Sequence, residues 1–269
     1  MTQQPNLSQA RSRIEGMKRQ FEQKRQIEES LSGIKKKIGV YSGKGGVGKT
    51  TVAVNIATTL AQQGQKVGIL DVDIDCPNIV RALNISDQPL IDENKKMIPP
   101  ERFGVKVMSM AFFQENQDEA IIWRGPMIHN AINQMLQSTD WGDLDYLIID
   151  LPPGTSDAPL TVMQVLTMDG FVVVTTPQEL AKIDAKRSIN MVKKLQIAVL
   201  GIVENMSGEF FGTGAGLEIA SELEIDFLGT ISMRSEYKDM SRPTTLISDN
   251  VLSEYRAISE KMIEAVEKQ

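Results

Sequence analysis

Two lysines lie in one glycine-rich segment, GKGGVGKTT, although phosphate binding requires only one of them. From Gly43 to Thr50 the segment fits the pattern G-x-x-x-x-G-K-[ST]. Its glycines let backbone N–H groups converge on phosphate oxygens, its Lys49 can reach the terminal phosphates, and its threonine hydroxyl can ligate Mg²⁺. Lys44 is the additional cation. The pattern predicts a nucleotide site formed by Gly43, Gly45, Gly46, Val47, Gly48, Lys49, Thr50 and Thr51.

Carboxylates follow two apolar segments, and a nucleotide site needs a carboxylate near Mg²⁺. Asp150 ends the apolar run in YLIIDLPPG and is predicted to support Mg²⁺, the alternative being a helix cap or loop carboxylate. The segment GILDVDID carries three more acids, whose clustering implies a nearby cation or a water-filled site. Strand alternation would place Asp71 and Asp73 on the same side. We predict that Asp73 positions the attacking water, that Asp71 gives structural or metal support, and that Asp75 is a solvated loop residue.

The composition limits the classes of function. The chain has 269 residues, enough for one large α/β domain or two small ones, and a net charge of −6. That charge gives no general attraction to nucleic acid or to anionic lipid. The N-terminus is polar, no apolar run reaches the length of a membrane span, and the single cysteine excludes an internal disulfide framework. We therefore expect a cytoplasmic protein that binds no nucleic acid and does not associate stably with membranes.

Short apolar segments alternate with helical stretches from Lys37 onward. The predicted strands are KIGVYS, KVGILDVD, VKVMSM, DYLIID, GFVVVTT, AVLGIVENM and DFLGTI. Helices are predicted to begin after Gly48, Pro126, Ala158, Glu179, Gly214 and Asp249. Strands rich in Val and Ile that alternate with helices indicate an α/β fold, a doubly wound and mostly parallel sheet with helices on both faces. The carboxyl ends of its strands should form one rim, where ligands bind.

Residues 1–36 differ from the rest and are predicted to form an amphipathic helical extension, with the ATPase domain spanning residues 37–269. Apolar residues recur there at steps of three and four, which places them along one helical stripe. This stripe comprises Leu7, Ala10, Ile14, Met17, Phe21, Ile27, Leu31 and Ile34. Either the helix docks on the body or on a partner, or it is a frayed extension without a specific role.

Several longer segments carry a resemblance to a known family. They are DVDIDCPNI, WRGPMI, WGDLDYLIIDLPPGTSDAPLT and VENMS, beside a phosphate loop with two lysines. Together they resemble the Mrp/ApbC family of ATPases associated with iron–sulfur cluster assembly. That family belongs to the SIMIBI class of P-loop proteins, with MinD, ParA and the nitrogenase iron protein. The resemblance runs from about Lys37 to the C-terminus and implies ATP and Mg²⁺ as ligands, slow ATP hydrolysis, a homodimer and an iron–sulfur client protein.

The resemblance also implies roles for single residues. In such dimers the early lysine of each loop reaches the phosphates held by the other subunit, so Lys44 would join Lys49 and Asp73 as a catalytic residue acting in trans. Such a cation stabilises charge on the transferring phosphoryl group. Asn205 of VENM would hydrogen-bond adenine, unless it is a turn-forming asparagine. Asp157 would either couple the phosphate state to the dimer face or simply begin the next helix.

The sequence departs from this family at the cluster ligands. The family usually carries a C-x-x-C pair shortly after VENMS, and two subunits then supply four thiolates to one cluster. Here no cysteine follows VENMS, and the only cysteine is Cys76 in DIDCPN. Cys76 is predicted to fill a tight turn, the alternative being a redox-sensitive thiol. Cluster binding in the usual way is therefore not expected, and the chain would act as an accessory subunit, chaperone or heteromeric partner.

Two other functions remain open from the sequence. One is a MinD- or ParA-like positioning switch, whose output would be localisation. Such switches often carry a basic amphipathic membrane helix or a basic DNA-binding patch, and the acid-rich C-terminal helix does not resemble an anchor. The other is a regulator that binds ATP but barely hydrolyses it.

Overall fold

The structure, a computed structural model, describes residues 7–114 and 125–269. The helices of this part of the chain are α1 (Leu7–Ser30), α2 (Lys49–Gln62), α3 (Ile79–Ala82), α4 (Gly125–Ser138), α5 (Asp157–Val165), α6 (Glu179–Lys194), α7 (Ala215–Leu223) and α8 (Asp249–Glu267). The strands are β1 (Ile34–Tyr41), β2 (Val67–Asp71), β3 (Leu90–Ile91), β4 (Met97–Ile98), β5 (Glu101–Arg102), β6 (Val105–Ser109), β7 (Leu144–Asp150), β8 (Gly170–Thr175), β9 (Val199–Ser207) and β10 (Phe227–Ser232).

One eight-stranded sheet runs through the molecule in the order β10-β9-β8-β1-β7-β2-β6-β5. Every neighbouring pair is parallel except β5 with β6. The seven strands predicted from sequence are all present, and the prediction of a doubly wound, mostly parallel α/β fold is confirmed. The sequence did not predict β5 or the separate antiparallel pair β3–β4, because two-residue strands are too short to show an alternating pattern.

Alternation along the central strands divides the core into two halves. Ile38, Val40 and Ile148 belong to the half that also contains the buried residues of α2 and α8. Leu147 and Ile149, which point to the opposite face, belong to the half that contains the buried residues of α4. Since both faces of these strands are covered, the strands are almost continuously apolar, as is usual for a buried parallel sheet.

The register of the strands aligns their carboxyl ends. Asp150 at the end of β7 is paired with Val40 of β1 on one side and with Asp71 of β2 on the other. Asp71 is in turn paired with Ser109, the last residue of β6. The loops that follow β1, β2 and β7 therefore leave the sheet at one edge, as predicted, and this edge carries the candidate site.

The N-terminal helix ends earlier than the predicted apolar stripe. Ile34 is the first residue of β1 and pairs with Leu144, so its assignment to a helix was wrong. Ile27 and Leu31 are buried in the core half that includes α4, whereas Phe21 is 74% exposed. The side chains of Leu7, Ala10, Ile14 and Met17 lie outside the described part of the structure. The last turns of α1 thus pack on the body, and the extension as a separate unit stays a prediction.

Candidate active site

The phosphate loop connects β1 to α2 and lies at the carboxyl edge of the sheet. Gly48, with φ of 80°, is the residue before the first turn of α2. The first N–H groups of a helix have no partner within the helix, so the loop and this helix start offer donors to an anion. They border a cavity of about 360 Å³. Its lining residues are Ser42, Lys44, Gly45, Gly46, Gly48, Lys49, Thr50, Thr51, Asp73, Asp75, Cys76, Asn78, Pro152, Pro153, Ser156 and Ala158.

Asp150 organises the floor of this cavity. Its carboxylate is fully buried and accepts from Lys49 Nζ at 2.5 Å and from Thr50 Oγ1 at 2.6 Å. Each of its oxygens therefore holds one residue from the first turn of α2. Buried charges are stable in proteins only when they are paired and hydrogen-bonded, and removing one partner of such a pair typically costs about 3–5 kcal/mol. Asp150 thus fixes the lysine and the threonine of the phosphate loop together.

The Thr50 and Asp150 oxygens fit Mg²⁺. Both are hard donors, and phosphate-loop proteins hold Mg²⁺ with a loop hydroxyl, a strand-end carboxylate, phosphates and water. Thr50 lines the cavity, while Asp150 lies behind it and accepts a hydrogen bond from the Thr50 hydroxyl. Among the described residues no group of three or more His, Cys, Asp or Glu side chains is placed to hold a metal ion by itself.

The Asp71 carboxylate accepts hydrogen bonds from neighbouring segments of the protein. Its carboxylate, fully buried, accepts from Ser109 Oγ at 3.0 Å, from Asp73 N at 3.1 Å and from Ile79 N at 3.1 Å. Burial, with the nearby Asp150 charge, raises the pKa of Asp71 to about 8. These contacts tie the end of β2 to the loop after it and to the start of α3, in keeping with the structural alternative predicted for Asp71.

Asp73 is brought into the cavity by a turn. Strand alternation predicted that Asp73 lies on the same side as Asp71, but β2 ends at Asp71, so alternation does not place Asp73. Its Oδ1 accepts from Cys76 N at 3.3 Å, and its Oδ2 lies 3.7 Å from Lys49 Nζ. Burial raises the pKa of Asp73, and the positive charge of Lys49 opposes that rise. Asp75 is exposed at the same cavity.

The three remaining predicted residues lie in different surroundings. Lys44 is half-buried and lines the cavity, while the buried carboxylates are paired with Lys49 instead. Asn205 is buried and donates from Nδ2 to the Val47 carbonyl at 2.8 Å, so it lies against the phosphate loop. Asp157 is exposed and begins α5, which matches the simpler of its two alternatives. The roles assigned to these residues stay predictions.

Some lining residues were not singled out from the sequence. Pro152, Pro153 and Ser156 follow β7 in the segment DLPPGTSD, and Asn78 precedes α3. Within DLPPGTSD the sequence singled out only Asp150 and Asp157, although the position of the segment after an apolar strand already predicts that the residues between them form a loop at the rim. Trp123 and Arg124 of the segment WRGPM lie outside the described residues.

Gly48→Ala is expected to destabilise the protein more than Gly46→Ala does. Both glycines have φ of 80°, so alanine carries the same backbone cost of about 1–2 kcal/mol at either position. A Cβ on Gly48 would also lie 2.3 Å from Asn205 Nδ2, whereas nothing lies within 4 Å of a Cβ on Gly46. Overpacking of this kind costs about 1–3 kcal/mol more. Thermal unfolding without nucleotide measures the difference, and equal losses of Tm would contradict the close contact with Asn205.

The fold and this site define a P-loop NTPase. The chain belongs to the ParA family, whose model, described as NUBPL iron-transfer P-loop NTPase, matches residues 33–267.

Individual relatives agree with this assignment. An iron-sulfur cluster carrier protein of Methanocaldococcus jannaschii is 41% identical over 91% of this chain and 90% of its own length. A solved nucleotide-binding protein from Archaeoglobus fulgidus, in complex with ADP, is 38% identical, with a TM-score of 0.72 over 82% of this chain and 91% of its own. The cell division ATPase MinD of Pyrococcus furiosus has a TM-score of 0.67 over 85% of this chain and 98% of its own. At 20% identity, that likeness shows the fold alone.

Proposed function

We propose that this chain binds ATP with Mg²⁺, hydrolyses it slowly in a homodimer that closes over the nucleotides, and by this cycle serves iron–sulfur cluster assembly. One observation carries the proposal. Lys49 lies between Asp150 and Asp73, 2.5 Å and 3.7 Å from their carboxylate oxygens, at a cavity that also contains a second lysine of the same loop. Relatives named iron-sulfur cluster carrier proteins support the physiological part.

Each residue has a defined task in this mechanism. The loop N–H groups and Lys49 bind the phosphates, and Thr50 with Asp150 would hold Mg²⁺, which would offset the negative charge of the phosphates. Asp73 accepts a hydrogen bond from the attacking water and orients it in line with the γ-phosphate. Lys44 of the second copy enters the cavity on closure and stabilises the charge on the transferring phosphoryl group. Because a lone monomer receives no Lys44 from a second copy, hydrolysis reports whether the dimer has closed.

The proposal is tested by measuring ATP turnover and association state together. Turnover that rises with protein concentration and requires Mg²⁺, with an ATP-dependent dimer in sedimentation velocity, is expected. Tight ATP binding with no turnover at any concentration would instead favour a regulator that only senses ATP. ATP-dependent co-sedimentation with anionic liposomes or with DNA would favour a positioning switch.

None of the helices in residues 7–114 and 125–269 has both the length and the apolar composition that a membrane span requires. The cytoplasmic location stays a prediction.

The residues of this chain do not fit cluster ligation by cysteine. Cys76 is the only cysteine of the sequence, and it lies exposed at the nucleotide cavity. Cysteine-ligated clusters use four thiolates, whereas two copies of this chain supply two. We therefore assign to the chain a nucleotide-dependent accessory role, with an iron–sulfur client or a cysteine-bearing relative as its partner.

Anaerobic reconstitution with iron and sulfide is expected to leave substoichiometric, labile iron on this chain. Because Cys76 is not expected to act as a ligand, Cys76→Ser should leave the iron content unchanged. Iron and sulfide analysis after gel filtration, at a defined dimer state, measures both values, and a cysteine-bearing relative treated in parallel is the control. Stable binding of about four irons per dimer, lost in Cys76→Ser, would make Cys76 a ligand and restore the cluster-carrier role.

A further inference from the structure

Glu204, the residue before Asn205, is a buried carboxylate that the mechanism above does not use. It is fully buried near the end of β9, directly after the apolar run VLGIV. A buried carboxylate must be compensated by charge or by hydrogen bonds. The described residues compensate Glu204 entirely with hydrogen-bond donors, and those donors come from both ends of one loop.

The loop runs from Ser207 to Gly214, and Glu204 holds its two ends together. Oε1 accepts from Ser207 Oγ at 2.5 Å and from Gly214 N at 3.0 Å. Oε2 accepts from Gly216 N at 2.7 Å, in the first turn of α7. The carboxylate thus caps α7 from a neighbouring strand, where the helix dipole also favours a negative charge. Within the loop, two backbone hydrogen bonds join Gly208 and Gly212.

The backbone between Glu204 and Ser207 is strained. Met206, between Asn205 and Ser207, has φ of 58°, a left-handed conformation that costs a bulky residue about 1–2 kcal/mol. Such a conformation persists only where its surroundings enforce it. The bond from Ser207 to Glu204 spans Met206 and enforces the conformation from one side. The hydrogen bond from Met233 N to the Ser207 carbonyl, at 2.9 Å, supports it from the residue that follows β10.

Asn205 directly precedes this strained residue. On its other side the Asn205 amide is in contact with the phosphate loop, through its bond to the Val47 carbonyl and its close approach to Gly48. We infer that Glu204 is a positioning residue for nucleotide-base selection: by holding the Ser207–Gly214 loop and α7, it fixes the backbone that presents the Asn205 amide to adenine. The inference rests on the proposed function, in which Asn205 binds the base. An amide pairs with the 6-amino group and N7 of adenine, whereas guanine offers an acceptor at position 6.

The test is the ratio of the dissociation constants for GTP and ATP, measured on the full chain by equilibrium titration with each nucleotide. A ratio cancels losses of folded protein and of phosphate binding, because these affect both nucleotides equally. Glu204→Gln keeps the shape of the side chain but turns one acceptor into a donor facing N–H groups. We expect it to lower the preference for ATP about tenfold, the effect of one misplaced hydrogen bond. Ser207→Ala, a milder change that removes one donor, should lower it in the same direction by less.

Glu254→Gln is the matched control. Glu254 on α8 also accepts three hydrogen bonds at a strand end, from Ser232 N, Ser232 Oγ and Arg234. Glu254→Gln should lower Tm and leave the preference for ATP over GTP unchanged. An unchanged preference in Glu204→Gln, with a lower Tm, would reduce Glu204 to a structural role and overturn the inference.

Asn205→Ala distinguishes base binding by Asn205 from the positioning of Asn205 by Glu204. It should lower the preference for ATP at least as far as Glu204→Gln does, and the double variant should lose no more than Asn205→Ala alone. Losses that add in the double variant would contradict action through Asn205. An unchanged preference in Asn205→Ala would refute base binding by Asn205 itself, and the inference would fall with that part of the proposed function while ATP hydrolysis remained intact.

Discussion

Lys44→Ala is expected to lower ATP turnover by about 10³-fold or more and to leave ATP binding to the monomer largely unchanged. The magnitude is that of a cation supplied across an interface to a transferring phosphoryl group. Two features of the structure support a selective effect. Lys44 borders the cavity, but Asp73 and Asp150 are paired with Lys49, so the removal of Lys44 leaves those ion pairs intact.

Two further variants distinguish an interfacial role from a general loss of charge. Lys37 is half-buried like Lys44 but lies on β1, away from the loop, and is paired with Asp169 at 3.8 Å, so Lys37→Ala should keep normal turnover. Lys49→Ala should weaken ATP binding itself, because it removes a phosphate ligand and leaves Asp150 buried without its cation. Equal losses of binding in Lys44→Ala and Lys49→Ala would refute action in trans.

The mixed dimer gives the most direct test of Lys44. A Lys44→Ala subunit that retains ATP can still receive Lys44 from a wild-type partner. Mixing Lys44→Ala with Asp73→Asn should therefore restore turnover at one of the two sites, the site whose nucleotide is held by the Lys44→Ala subunit and faces the intact lysine. No restoration at any mixing ratio, under conditions where mixed dimers form, would place the action of Lys44 within its own subunit.

The sheet and the phosphate loop were predictable because both depend on local patterns. Val- and Ile-rich strands buried on both faces are nearly continuous apolar runs, and the loop between β1 and α2 is specified by its own glycines. Asp150 could be placed because it ends such a strand, and the parallel register carries that end to the rim. In each case the information lies within about ten residues of chain.

The rest depended on contacts between distant segments. Asp73 reaches Lys49 through a turn that Asp71 stabilises, and the donors to Asp71 come in part from β6 and α3. Ile34 continues a helical spacing but becomes the first residue of β1, because pairing with Leu144 outweighs the local pattern. Glu204 could have been noticed as a charge in an apolar strand, but its donors on α7 follow from the tertiary fold alone.

Asp73→Asn is expected to slow hydrolysis by about 10²–10⁴-fold, the range for removing a group that handles the proton of the nucleophile. The amide keeps an oxygen for the Cys76 N–H and a similar volume, so the turn after β2 should persist. It loses the charge that orients water, and also one of the two carboxylates around Lys49, which leaves that lysine freer to bind phosphate. ATP binding should therefore be retained or strengthened, and the variant should accumulate as an ATP-bound dimer.

Single-turnover hydrolysis and sedimentation velocity with ATP measure these two effects. Asp75→Asn is the control, because Asp75 is an exposed carboxylate at the same cavity, two residues away, and its variant should hydrolyse ATP normally. If Asp73→Asn hydrolyses ATP like the wild type, the water is oriented by another acid. Asp71 is then a poor candidate, because its oxygens already accept three internal hydrogen bonds, and the role would pass to Asp157, an exposed acid at the start of α5.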